Sequence, residues 1–258
     1  MFRVILSRIQ QGHRTAAYPS VEPTLPERFR GAPVVESEKC DTSCNNCIEQ
    51  CPTDALLRRN SHLALDMGRC LFCGQCESFC EKNAISFSRE YRLSAKHRDA
   101  LVIDGKMRIA EQKLSSELIK LFGRSLKLRQ VSAGGCNACE ADINVLGTLV
   151  FDLGRFGIQI VASPRHADGI IVTGPVSQNM EIALKNTYDA VAAPKIVIAV
   201  GACAIAGGPY AGHPEVSTSL DRIVPVDLYI PGCPPHPYTI LDGLLGMLGR
   251  LTRSGRAG

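Results

Sequence analysis

VSAGGCNACE, Val131 to Glu140, joins a β-favouring run to a helical one through the pair Gly134-Gly135. Two cysteines, Cys136 and Cys139, stand directly behind the glycines. The preceding run is Leu126 to Val131 (LKLRQV). Similar runs follow at Ile158 to Val161, Gly169 to Thr173, Lys195 to Val200 and Val226 to Ile230. Most are continuously apolar, which suits strands of a parallel sheet buried on both faces. Helical stretches at Glu140 to Val150, Asn179 to Val191 and Tyr238 to Leu251 separate several of them. Strands alternating with helices predict βαβ units and a doubly wound α/β sheet. Ligands of such sheets sit outside the carboxyl ends of the strands. Cys203, in GACAIAGG, follows the run at 195–200, and Cys233, in PGCPPHP, follows the run at 226–230. All four cysteines are therefore expected on one sheet edge, as the thiolate cage of one [4Fe-4S] cluster.

Soft thiolates select iron–sulfur clusters or zinc. Zinc sites in small domains pair cysteines as two close hooks. Here one close pair joins two singletons from separate strands. The plainer alternative is a set of unconnected buried cysteines, a common fate of free thiols.

GGCNACE, RFGIQIVASPRHAD, IVTGPV, GACAIAGG and PGCPPHP together resemble the small subunit of membrane-bound, energy-converting [NiFe] hydrogenases, including formate hydrogenlyase. That subunit is similar to the proximal-cluster subunit of respiratory complex I. The resemblance covers roughly residues 126–250. It implies a flavodoxin-like fold and a cubane held by Cys136, Cys139, Cys203 and Cys233. The complex I branch typically has adjacent cysteines at the first position. Cys-Asn-Ala-Cys here favours the hydrogenase branch.

The chain has 258 residues, 45% of them hydrophobic, enough for one or two domains with ample cores. No run approaches the ~20 apolar residues of a membrane span. A net charge of +4, evenly spread, and the absence of Trp argue against nucleic acid. The first residues lack the apolar core of a signal peptide. Twelve cysteines in metal-site spacing then lead us to expect a reducing, cytoplasmic compartment and twelve cluster ligands.

Two further runs lie upstream. Cys40, Cys44, Cys47 and Cys51-Pro52 form the first; Cys70, Cys73, Cys76 and Cys80 form the second. Bacterial ferredoxins use C-x2-C-x2-C-x3-C-P, the fourth cysteine serving the other cluster. The second run keeps that spacing but ends in Glu81. The first keeps the proline but has three residues between Cys40 and Cys44. Crossed ligation predicts one cluster on Cys40, Cys44, Cys47 and Cys80, and another on Cys70, Cys73, Cys76 and Cys51. Ala55 to Leu57 and Ala84 to Phe87 are expected to cover the cubes. This block resembles the two-cluster subunit of the same complexes, as far as SREYRLSA, and implies an N-terminal α+β ferredoxin-like domain.

Four segments follow from this reading: helix and arm at 1–35, two-cluster domain at 36–90, linker and docking helix at 91–125, and sheet domain at 126–258. Phe2, Ile5, Leu6 and Ile9 give the N-terminal helix one apolar face. The Pro-rich arm behind it is expected to lie along a neighbouring subunit. The linker begins with Arg89, Arg92, Lys96, His97 and Arg98, then reads as a helix from Lys106 to Phe122. The turn Ser163 to Asp168 is expected on the cluster edge. There Arg165 or His166 would raise a cluster potential, or Asp168 would simply bond backbone amides. Glu140 reads as a helix-start acid, and the resemblance places it near the active-site interface. The resemblance further implies an electron-transfer subunit with three [4Fe-4S] clusters, peripheral on the cytoplasmic membrane face. Its partners would be a NiFe large subunit, membrane subunits and an external electron donor or acceptor. Nickel ligands are expected on that large subunit, so the chain would wire electrons without itself splitting hydrogen. A complex I-like quinone-reducing subunit is the alternative.

Overall fold

A computed structural model describes residues 2–12, 14–41, 43–60, 62–105, 113–217 and 219–251. Helix α1 (Phe2–Gln11) leads to strand β1 (Pro33–Val35). Helix α2 (Asn46–Glu49), strands β2 (Leu56–Arg59) and β3 (His62–Asp66), helix α3 (Gln75–Ser78), and strands β4 (Ile85–Phe87) and β5 (Val102–Ile103) complete an α+β unit. Here β1 pairs with β4, and β2-β3-β5 form a second antiparallel sheet.

Helix α4 (Ser116–Phe122) precedes the larger unit. That unit runs β6 (Leu126–Ser132), α5 (Ala138–Val145), β7 (Ile158–Ile160), β8 (Gly169–Thr173), α6 (Gln178–Ala190), β9 (Ile196–Val200), α7 (Ala202–Ala206), β10 (Leu228–Ile230) and α8 (Pro237–Met247). The sheet order is β7-β6-β8-β9-β10, and every pair is parallel. Counted from β6, that is the 2-1-3-4-5 order of flavodoxin-like sheets, with its switch point between β6 and β8.

Strand residues alternate between the sheet faces. Ile171, Ile196, Ile198, Val200, Leu228 and Ile230 share one core with α5 and with Ile240, Leu241, Leu244 and Leu245 of α8. Ile170, Val172, Val197, Ala199 and Tyr229 share the other core with Ile205, Leu101, Met67 and Leu65. The second core thus runs unbroken from the sheet into the α+β unit. Ala95 adds an antiparallel bridge to Tyr229 at the sheet edge, with N–H···O bonds of 3.0 and 2.8 Å. Asp66, buried on β3, accepts both arms of the Arg98 guanidinium at 2.8 and 2.6 Å.

Three expectations need correction. The arm lies across this chain's own body, where its polar groups find partners. Arg155 donates to the carbonyls of Ala16 and Tyr18, and Arg89 to those of Leu25, Pro26 and Glu27. Of the predicted helix 106–122, residues 106–112 lie outside the described set, 113–115 are not helical, and a helix starts at Ser116, where Ser115 Oγ caps the Leu118 amide. Leu114 is instead buried, its N–H bonded to the Met247 carbonyl at 3.0 Å. The turn Ser163 to Asp168 does not reach the carboxyl edge. Strand β7 is so short that it ends beside Leu128, well before β6 finishes at Ser132. Asp168 then accepts from the Lys127 amide at 2.7 Å, the structural role of a turn aspartate.

Candidate iron–sulfur centres

The two N-terminal cysteine runs are built alike. Each places its third cysteine, Cys47 or Cys76, in a one-turn helix, α2 or α3. Each follows its fourth cysteine with a left-handed residue, Asp54 at φ 49° and Asn83 at φ 50°. Asp and Asn tolerate that backbone better than most side chains. The reversal aims the next amide back at sulfur: Ala55 N–H donates to Cys51 Sγ at 3.3 Å, and Ala84 N–H to Cys80 Sγ at 3.2 Å. Phe72 N–H reaches Cys70 Sγ at 3.3 Å. Amide donors of this kind stabilise thiolate and cluster sulfur.

The thiols fall into groups whose charges influence one another. Burial pushes the Cys47 thiol up to about 11, helped by Cys40, Cys80 and Cys44. Burial pushes Cys70 up to about 12, with Cys76, Cys51 and Cys73 adding to it. Cys76 also reaches about 12, through burial and then Cys73, with Cys47 and Cys51 as further neighbours. One cavity is lined by Cys40, Cys44, Cys47 and Cys80. Another is lined by Cys51, Cys70, Cys73 and Cys76, with Cys47 on its wall. The fourth cysteine of each run therefore faces the other run's first three.

At the carboxyl edge of the larger sheet, Cys136 lies between β6 and α5, Cys139 on α5, Cys203 on α7 and Cys233 after β10. Burial raises the Cys139 thiol most, and Cys203, Glu140, Cys233 and Cys136 add to it. Burial lifts Cys203 to about 11, with Cys233 and Cys136 next. Cys233 is raised by burial, by Cys136, and by Cys73 of the N-terminal unit. The backbone leaves room only for sulfur here. A Cβ on Gly201, at φ +89°, would lie 2.6 Å from Cys139 Sγ, and one on Gly208 would lie 2.7 Å from Cys203 Sγ.

All-thiolate donor sets fit an iron–sulfur cube. A lone zinc would need its sulfurs ~2.3 Å from one point. Four thiolates in each group suit a cube, with one sulfur at each iron corner.

Glu140 is buried beside the third thiol group. Its Oε1 accepts from Ser132 Oγ at 2.6 Å and Thr173 Oγ1 at 2.7 Å. Burial disfavours its charge, but these hydroxyls and its own amide outweigh burial and hold the carboxyl below its ordinary range. The carboxylate thus ties the ends of β6 and β8 together at the switch point. His236 caps α8 by accepting the Tyr238 amide on Nδ1 at 3.2 Å, and its ring stacks on Tyr238. Sequence reading passed over Ser132, Thr173 and Arg58. Ser and Thr at strand ends next to a predicted buried acid were the available signal for the first two.

Residues 136–247 match the family of the NADH ubiquinone oxidoreductase, 20 Kd subunit, and residues 26–85 match the 4Fe-4S dicluster domain family. The probable membrane-bound hydrogenase subunit mbhJ of Pyrococcus furiosus is 42% identical over 142 residues, covering 55% of this chain and 85% of that protein. Formate hydrogenlyase subunit 7 of Escherichia coli is 41% identical over 156 residues, covering 60% of this chain and 61% of that protein. An NADH-quinone oxidoreductase subunit of Phocaeicola vulgatus is 44% identical over 126 residues, covering 48% of this chain and 63% of that protein. The matched segments span less than two thirds of these last two relatives. Together with the parallel sheet and its thiol-bearing edge, the likeness over most of the hydrogenase subunit shows that the chain belongs to the family of the NADH ubiquinone oxidoreductase 20 Kd subunit, as an electron-transfer subunit carrying an N-terminal 4Fe-4S dicluster domain.

Proposed function

We propose that the chain carries three [4Fe-4S] clusters in line and wires electrons to or from a NiFe large subunit of a membrane-associated hydrogenase. The first cluster would be held by Cys40, Cys44, Cys47 and Cys80. The second would be held by Cys51, Cys70, Cys73 and Cys76, and the third by Cys136, Cys139, Cys203 and Cys233. The observation that carries the reading is the grouping of the thiols, with Cys47 near Cys76 and Cys73 near Cys233 at the two junctions. Electrons would enter or leave by an external carrier at the first cluster. The open sheet edge at the third would face the large subunit.

No helix among the described residues is long and apolar enough to cross a membrane. Association with the membrane would run through α1, whose Phe2, Ile5 and Ile9 are 76%, 53% and 72% exposed beside Arg3 and Arg8. Such a basic, amphipathic helix suits an anionic membrane surface on the cytoplasmic side. Anaerobically reconstituted protein should hold about twelve irons, four per cube. About eight irons, or zinc instead of iron, would overturn the three-cluster reading.

A complex I-like subunit is the second reading, favoured by the 44% identity to the NADH-quinone oxidoreductase relative. The metal content of the co-purified large subunit separates the two. Nickel supports the hydrogenase and its absence the quinone-linked complex.

A further inference from the structure

We propose that Arg58, which is not a ligand, raises the reduction potential of the first cluster above that of the second. Arg58 lies on β2, opposite Leu63. Its Nη1 donates to Cys40 Sγ at 3.6 Å, and its Nη2 to the carbonyls of Asp41 at 2.8 Å and Cys44 at 2.5 Å. One guanidinium therefore holds both ends of the Cys40–Cys44 loop, the loop that is one residue longer than Cys70–Cys73. The neighbouring acid does not neutralise it: Asp41 turns its carboxylate to Ser43 and Lys82. The Arg58 Nε–H is buried without an acceptor among the described residues. A buried donor without a partner is costly, and a cube in this cavity supplies acceptor sulfurs.

The near-symmetry of the two runs gives the comparison. Arg58 stands as far beyond Cys51 as Phe87 stands beyond Cys80. Phe87 lines the cavity of the second thiol group. The first group thus has a fixed cation where the second has an aromatic ring. Reduction adds one electron to a cube and makes its sulfurs better acceptors. A charged donor at sulfur favours that reduced form, because charge-assisted hydrogen bonds are stronger than neutral ones. The first cluster should therefore take an electron more readily than the second.

This inference rests on the reading of Cys40, Cys44, Cys47 and Cys80 as ligands of one cluster. The test is an EPR-monitored redox titration of the anaerobically reconstituted full chain, as wild type, Arg58→Gln and Arg58→Lys. Cys44→Ser marks the signal that belongs to the first cluster. Arg58→Gln should keep its iron and sulfide and lower the reduction equilibrium constant of that cluster at least tenfold, about 59 mV for a one-electron couple. The other clusters should keep their midpoints. Arg58→Lys, which retains charge without the planar fork, should fall between. An unchanged first-cluster midpoint in Arg58→Gln, or an equal shift of every cluster, overturns the proposal. If Arg58→Gln loses its first cluster, Arg58→Lys decides: a lowered midpoint supports the proposal, and an unchanged midpoint or lost iron overturns it. If Cys44→Ser removes no cluster signal from the wild-type spectrum, the ligand reading fails, and this inference with it.

Discussion

The hydroxyl of Tyr18 donates to the carboxylate of Asp242 at 2.7 Å, joining the N-terminal arm to the middle of α8 across 224 residues of sequence. Both residues are buried, and Tyr18 packs edgewise on Tyr91 and against Tyr238. Burial and then the Asp242 charge hold the Tyr18 phenol far above its ordinary range, so it stays a donor. The arm is thereby part of this chain's own core.

Tyr18→Phe keeps the ring and removes the donor. Hydrogen bonds to charged groups contribute about 1.5–3 kcal/mol. We expect about 2 kcal/mol of lost stability in denaturant unfolding, with faster proteolysis within residues 19–31. An unchanged midpoint would show that the other contacts of Asp242 suffice.

Helix α1 behaves differently, because none of its residues is buried. Removing residues 2–11 should leave iron content and unfolding midpoint unchanged. It should abolish binding to anionic lipid vesicles in a sedimentation assay. Full-length protein that ignores such vesicles would move the attachment to a partner subunit.

The fold was legible where burial on both sheet faces writes continuous apolar runs, as at Gly169–Thr173 and Ile196–Val200. The grouping of the N-terminal thiols was legible because the two runs repeat nearly one spacing, and the cysteines of each expected set line a common cavity. The short strands β1 and β4 of the α+β unit were not. β1 and β4 have three residues each and pair across about fifty positions, so neither shows a local period. Tyr18 and Asp242 meet through tertiary packing alone. The predicted helix was overread at residues 113–115, because Leu114 has helical spacing but turns into the core beside Met247. Arg58 was passed over, since nothing local says that its guanidinium reaches Cys40.

Stability should depend on pH through His236. Burial depresses its folded pKa below the unfolded value, so the unfolded chain binds the proton more readily. The contribution is complete above about pH 6.5, the unfolded value, and is lost as pH falls below it. His236→Asn keeps a possible cap for α8 but removes the titration. The slope of unfolding free energy between about pH 5 and 6.5 should flatten in that variant. An identical slope would assign the dependence to another group.

Gly201→Ala should damage the third thiol group alone. The new Cβ would press on Cys139 Sγ at 2.6 Å, at a backbone φ of +89° that L side chains rarely adopt. Such strain costs of order 1–3 kcal/mol. We expect loss of about four of about twelve irons, with the EPR signals of the other two clusters retained. Full iron content would mean that α7 yields more easily than its buried Ala204 and Ile205 imply.

Leu71 and Phe72 of the second run share one pocket with Gly232–Pro237, and the charge of Cys73 reaches Cys233. Transfer should therefore pass directly between these two loops. The polar linker would set their distance without carrying the electron. Cys203→Ser should stop electron exchange with the large subunit while both N-terminal clusters stay reducible by dithionite. Cys73→Ser should stop delivery from the external carrier to the third cluster, while the partner still reduces or oxidises that cluster. Single-turnover EPR of the assembled complex separates these cases. If the external carrier still delivers electrons to the third cluster of the Cys73 variant at the normal rate, the carrier docks at the third cluster, and the line of three is wrong. If the Cys203 variant loses a signal belonging to Cys70, Cys73 or Cys76, the thiols are shared differently from the grouping that their burial and mutual charge define.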